Sequence, residues 1–320
     1  MLTDKIRNKE NGIILYGITP PKINHTEDEI KEIAKKHIQR ISSLNVDGLV
    51  LYDIQDESDR TDEKRPFPFI KTLNPCDYSH NYLQELKTPR IVYRAVGNYT
   101  TETFTKWLEF TKEGGQQVHS VFVGAASHEQ KNPLSLKEAY ALKREVNNNL
   151  CLGGIAIPER HTKKHDEHLR VFSKKDDSCE FFITQCVYDL EAAKVFLTDY
   201  AKYAKENNYE MVPIIFTLTP CGSAKTLDFM KWLGINIPNY LEEDLKQSGD
   251  ILHESVKLSR DIFEELYTFG LKRGIPIGCN VESVAIRKAE IEASVELLEE
   301  VKGIIKKYSW GFWYTQIFLM

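Results

Sequence analysis

The run EFFITQ (180–185) ends on an amide. Phe181, Phe182 and Ile183 form an unbroken apolar stretch that closes on Thr184 and Gln185. A buried strand that stops on a glutamine must give the side chain partners, because an unmet buried amide costs roughly 1–3 kcal/mol. An amide sets donors beside an acceptor, the complement of a ring edge such as that of a pterin or a flavin. Three residues on, Tyr188 supplies an aromatic face.

Two other clusters could do chemistry. DIQDES (53–58) carries Asp53, Asp56 and Glu57, with Asp59 just beyond. Such acids can hold a divalent metal, and a solvated loop accounts for them more simply. RHTKKHDEH (160–168) spaces His161, His165 and His168 at i, i+4 and i+7. Two histidines four apart can chelate zinc, but the HExxH pattern is absent. Lys163 and Lys164 also stand between them. The stretch reads as a solvated helix start, and no metal site is expected. No Ser, Cys and His fall into a nucleophile-elbow pattern.

These residues need elements to hold them. Apolar runs of strand length recur at 12–18, 48–54, 90–96, 119–125, 152–157, 180–185, 211–218 and 276–281. They are continuous and rich in Val, Ile and Phe, as strands buried on both faces should be. Helix-period segments lie between them. Thr26 and Glu29 form a capping box before Ile30, Ala34, Ile38 and Ile41. Asp189 can cap a helix bearing Leu190, Ala193, Leu197 and Tyr200, and Ser283 can cap the last one. The polar, proline-containing region 55–80 reads as a long loop. Eight strands alternating with helices predict a single (β/α)8 TIM barrel of the α/β class over residues 1–320. An open dinucleotide sheet should show GxGxxG after its first strand, and GITPPK lacks it.

Composition bounds the function. The 320 residues are 42% hydrophobic and 28% charged, with net charge −5. A chain of this size buries roughly 75% of its unfolded surface without staples. Acids and bases interleave, so the chain has no basic stripe and nucleic acid is not an expected partner. The six cysteines make no CxxC pair, which fits buried thiols in a reducing compartment. The charged N-terminus has no apolar signal core. The apolar tail WGFWYTQIFLM (310–320) is about half a membrane span, so no membrane partner is expected and a cytoplasmic location is. Packing of that tail under the barrel or on another subunit, in a homo-oligomer or a one-carbon complex, is the expectation.

In a barrel of this type the functional face is the C-terminal end of the strands. Those ends carry Thr19, Asp53, Gln55, Asp56, Glu57, Arg94, Asn98, Ser127, His128, Glu159, Arg160, His161, Gln185, Tyr188, Thr217, Thr219, Asn280 and Glu282.

Five segments in this order resemble the methylenetetrahydrofolate reductase family over roughly residues 13–300. ITPPK (18–22) is similar to the end of the family's first strand, and DRT (59–61) to its second loop. IPERH (157–161) resembles its Tyr-Pro-Glu-x-His, and FFITQCVYD (181–189) its Ile-Thr-Gln-Phe-Phe-Phe-Asp, the most specific match. WLGINIP (232–238) resembles the segment ending in Ile-Pro after the seventh strand. The resemblance implies a flavin barrel that reduces 5,10-methylenetetrahydrofolate to 5-methyltetrahydrofolate. It implies a tetrahydrofolate derivative as ligand, FAD as cofactor and NAD(P)H as electron donor. Gln185 would pair with the pterin and Tyr188 would line its pocket. Thr19, Thr217, Asn280 and Glu282 are the further folate candidates. Glu159, His161, Lys174 and Ala126 mark what is left of the cofactor site.

The departures are informative. The family's proton-donating glutamate on strand one is Gly17 here. Its Leu-Arg-Gly-Asp on strand four is Val123, Gly124, Ala125 and Ala126. Its flavin-contacting Tyr is Ile157, its helix Arg is Ser173, and its Tyr-Thr-Leu-Asn on strand eight is Asn280 to Ser283. FAD should therefore bind poorly, and Glu57, Glu159 or Glu282 would have to replace the lost acid. The alternatives are a folate carrier or sensor, a subunit of a one-carbon complex, or a pterin-dependent methyltransferase-like barrel.

Overall fold

The computed structural model describes residues 1–58, 61–113, 119–124 and 134–317, with side chains described as far as 309. The strands are β1 (Ile14–Ile18), β2 (Gly48–Leu51), β3 (Arg90–Ala95), β4 (His119–Val123), β5 (Cys151–Ala156), β6 (Cys179–Cys186), β7 (Ile214–Leu218) and β8 (Ile277–Val281). They close a barrel in chain order, β1 to β8. Each coincides with one of the eight apolar runs to within a few residues. Neighbours are parallel, with Tyr16 opposite Leu49, Val92 opposite Ser120 and Phe216 opposite Cys279. This is the (β/α)8 barrel that the alternation of strand and helix patterns predicts.

The helices are α1 (Leu2–Arg7), α2 (Glu27–Ser43), α3 (Pro75–Tyr82), α4 (Thr101–Lys112), α5 (Leu136–Val146), α6 (Pro158–Lys164), α7 (Glu167–Asp176), α8 (Leu190–Asn207), α9 (Ala224–Trp232), α10 (Asn239–Gln247), α11 (Ile251–Leu271) and α12 (Lys288–Ile317). The Thr26 capping box is present. Asp189 caps α8 by accepting from the Ala192 amide at 3.0 Å. Two expectations need correction. The region 55–80 is not one loop, because Asn74 caps α3 through the Cys76 amide and Pro75 occupies its first turn. Ser283 does not cap the last helix, which starts at Lys288. The Ser283 hydroxyl donates instead to the Ala285 carbonyl, and the Val284 amide donates to Thr219 Oγ1. Together these bonds hold the segment off the helix.

Contacts gather the chain into two compact units. The first holds Met1–Arg7, Leu15–Ala156 and Arg170–Ile183. Its core includes Leu15, Leu49, Val50, Ile91, Val92 and Val121, all fully buried. Gly153 and Gly154 admit Phe181 and Phe182: a Cβ on either would fall within about 2.6 Å of the facing ring. Helix α1 is tied in by Thr3 to His119 (2.9 Å) and by Arg7 to Glu180 (2.8 Å).

The second unit holds Asn8–Ile14, Ile157–Leu169 and the chain from Thr184. Helix α11 packs on α12 there, burying Phe263, Leu266, Leu297 and Val301. The loop after β7 is pinned by Glu290, which is 2% exposed. Its carboxylate accepts from the Gly222 amide (2.9 Å), the Thr226 hydroxyl (2.9 Å) and Arg287 Nε (2.8 Å). All six cysteines are buried as thiols. Among the described residues no helix is long and apolar enough to cross a membrane. The expectations resting on Ala126, Ser127, His128 and the side chains of 310–320 lie outside the described residues.

Candidate functional site

The strand ends of the second unit carry most of the site candidates. Strand β6 ends on Gln185, half-buried, whose Nε2 donates to the Leu233 carbonyl at 3.1 Å. That bond fixes the amide against the α9–α10 connection. It leaves Oε1 and the second amide hydrogen to face whatever else enters. Tyr188 is fully buried in an apolar cluster with Cys186, Cys221, Leu227, Met230 and Ile237. Its hydroxyl donates to the Thr219 carbonyl at 2.8 Å, and burial pushes the phenol well above its usual range. Tyr188 thus buttresses the start of the α9 loop.

A polar ladder runs across β6, β7 and β8. The Thr217 amide donates to Thr184 Oγ1 (3.0 Å), and Asn280 Nδ2 donates to Thr217 Oγ1 (3.2 Å). All three side chains are buried. Thr184 was not singled out from sequence, although it sits beside Gln185 in the same apolar run. Glu282, just past β8, is half-buried, and its amide donates to the Leu218 carbonyl.

Glu159 differs from every other candidate acid. It stands in the first turn of α6, immediately after β5, and is 7% exposed. Neither carboxyl oxygen has a hydrogen-bond partner on another residue, and its own backbone amide is the one group that pulls the carboxyl down. Burial is the main cause that lifts it to about 8, and the nearby Asp189 and Glu167 carboxylates add to the rise. A carboxyl in this state is a protonated acid near neutral pH with its hydrogen-bonding capacity unspent. It can donate a proton or a hydrogen bond, or accept two bonds after ionising.

The residues matched to a cofactor site behave otherwise. Glu167 accepts from the Ile157 amide at 2.8 Å, and Lys174 Nζ donates to the Ile155 carbonyl at 2.5 Å. Both tie down the backbone at the end of β5. His161 is fully buried where α6 packs on α8, with Nε2 and Asp199 Oδ2 2.8 Å apart. Its burial departs from the solvated helix start read in the sequence. The cause is the apolar wall of α8, where Phe196 meets the imidazole edge-on.

In the first unit Thr19 is exposed and Glu57 half-buried. Asp53 accepts from the Ala95 amide at 2.9 Å. Burial raises its carboxyl, against the pull of that amide and of Arg94. Gln55 donates to the Gly124 carbonyl at 3.2 Å. Arg94, 4% exposed, lies between the rings of Tyr99 (4.3 Å) and Trp107 (4.4 Å) and reaches Asn74 at 3.2 Å. A cavity of about 380 Å³ opens beside it, lined by Asn74, His80, Arg94, Lys106, Trp107 and Phe110 among others.

A closed (β/α)8 barrel with polar side chains at its strand ends has the form in which barrels carry small-molecule sites. The family model described as methylenetetrahydrofolate reductase matches residues 126–272. A protein from Clostridium thermocellum, described as binding two copies of 5-methyl-5,6,7,8-tetrahydrofolic acid, is 56% identical. The match covers 95% of this chain and 100% of that one, with a TM-score of 0.85. The chain belongs to the methylenetetrahydrofolate reductase family. A Xanthomonas albilineans dihydropteroate synthase superposes at TM-score 0.48 and 10% identity over 92% of this chain and 94% of its own, and nothing about this chain follows from it. No curated protein matches in sequence.

Proposed function

We propose that the chain is a single-domain folate-binding barrel of one-carbon metabolism whose ligand is a reduced folate of the 5-methyltetrahydrofolate class. The observation that carries this is the Clostridium thermocellum relative, which binds that folate and aligns along its whole length. The site supports the reading. Gln185 keeps its Oε1 and one amide hydrogen available, and Glu159 holds two oxygens with no partner on another residue. A reduced pterin presents a ring N–H and an amino group side by side, the donors such acceptors need. Thr217, Asn280 and Glu282 are assigned to the same ligand, with Tyr188 bracing the loop after β7. Buried thiols fit a cytoplasmic chain.

A second reading is the family's reduction of 5,10-methylenetetrahydrofolate. Glu159 favours it, because an unpaired carboxyl at a strand end can take the proton-donor role that Gly17 has lost. Calorimetric titration with 5-methyltetrahydrofolate and with 5,10-methylenetetrahydrofolate, followed by an NAD(P)H oxidation assay, tests both. Saturable binding of the methyl form is expected, and its stoichiometry can be set against the two copies described for the relative. Absence of binding by either folate would overturn the proposal, and turnover of the methylene form would decide for the reductase.

A further inference from the structure

The histidine cluster on α6 is absorbed by neither reading. His161, His165 and Asp199 each bring a ligand-capable atom within 4.8 Å of the other two. Asp199 comes from α8, so the sequence gives no hint of it beside the RHTKKHDEH run. The His165 amide donates to the His161 carbonyl at 2.7 Å as it closes α6, which holds the two residues one turn apart. The rings of His165 and His168 stand edge-on to His161, with centroids 5.4 and 5.1 Å away. Phe196 and Tyr203 wall the group, the first against His161 and the second against His168.

The decisive residue is His161. It is fully buried, and its Nε2 faces the Asp199 carboxylate at 2.8 Å. Its Nδ1 is buried with no hydrogen-bond partner. A structural His–Asp pair needs no second or third imidazole around it. We propose that His161, His165 and Asp199 form a site for a zinc-class divalent cation between α6 and α8, separate from the folate site. Two imidazoles and one carboxylate are borderline donors that suit zinc or cobalt better than magnesium or calcium. Zinc ligands about 2.0–2.2 Å from the ion lie roughly 3.3–3.5 Å from one another. His161 Nε2 and Asp199 Oδ2, 2.8 Å apart, therefore have to part by about half an ångström to admit the ion. His165 is exposed and the Asp199 side chain is 36% exposed, so both can move. Water or His168 completes the shell. Lys163 and Lys164 are exposed and leave the donor atoms clear.

The test uses the whole chain and cobalt(II) as the probe, with zinc as competitor. The expected result is about one equivalent of cobalt retained through gel filtration, with visible d–d bands and no thiolate charge-transfer band in the near ultraviolet. Zinc should displace it. His165→Ala and Asp199→Asn should each weaken binding by about tenfold or more. Asp199→Asn keeps an acceptor for His161, and far-ultraviolet circular dichroism checks that both variants fold. The proposal is overturned if the wild-type chain retains no cobalt, if the spectrum shows thiolate ligation, or if both variants bind as tightly as wild type. Because the readout is metal uptake, folate affinity does not enter it.

Discussion

Gln185 and Glu159 pose opposite problems at the residue scale. Gln185 has one bond already, to Leu233, so its loss touches both loop and ligand. Gln185→Leu should weaken reduced-folate binding by about 1–3 kcal/mol, a roughly 5- to 150-fold rise in Kd. A lowered melting temperature with unchanged affinity would restrict Gln185 to the loop. Glu159 has no bond to another residue to lose. Replacing an unsatisfied buried polar group by an apolar one of similar size is neutral or stabilising. Glu159→Met should therefore raise the melting temperature while it lowers folate affinity, and unchanged affinity would refute its assignment to the ligand. Gln185 was legible because an amide on an apolar strand needs an explanation. Glu159 was legible only as a strand-end acid among several, since sequence shows position and not the absence of partners. Asp199 was not legible at all, because its meaning depends on which helix faces α8.

Elements were readable where their signals are local. The Thr26 and Asp189 caps lie within three residues of what they cap, and both are present. Helix α3 was hidden because its Asn74–Pro75 start is embedded in a polar run. Helix α12 was misplaced because Thr219, far away in sequence, claims the Val284 amide. Two predictions belong here. Glu290→Ala strips three donors of their acceptor in the loop after β7 and should cost about 3 kcal/mol in urea unfolding. A change near zero would show the loop to be held by other contacts. His119, 2% exposed and beneath α1, is lowered by burial from 6.5 to about 4. The unfolded chain takes up this proton near 6.5 and the native one only near 4. The contribution is thus complete above pH 6.5 and is lost as pH falls from 6.5 toward 4. His119→Gln should flatten stability against pH in that window, and an unchanged slope would remove His119 as its source.

Across the whole molecule, the barrel was the most legible feature, because eight buried strands each carry their own signal. Ligand identity was less so, since Gly17 and Ile157 say what is missing without saying what replaces it. The Tyr-to-Ile157 and Arg-to-Ser173 changes remove polar and aromatic flavin contacts, while Glu167 and Lys174 are engaged with the β5 backbone. The chain should therefore purify colourless and lose added FAD on gel filtration. Stoichiometric retained flavin, seen by absorbance, would contradict this.

The six buried thiols carry a practical consequence for anyone handling the protein. Burial pushes the thiols of Cys186 and Cys279 well above their ordinary range and that of Cys221 up to about 11. Few thiolates form, and reagents cannot reach them. The native chain should be almost silent to a disulfide dye, and each molecule that opens should release six equivalents at once. Labelling rate at low denaturant then counts opening events directly, so that the cysteines serve as a built-in clock for the barrel.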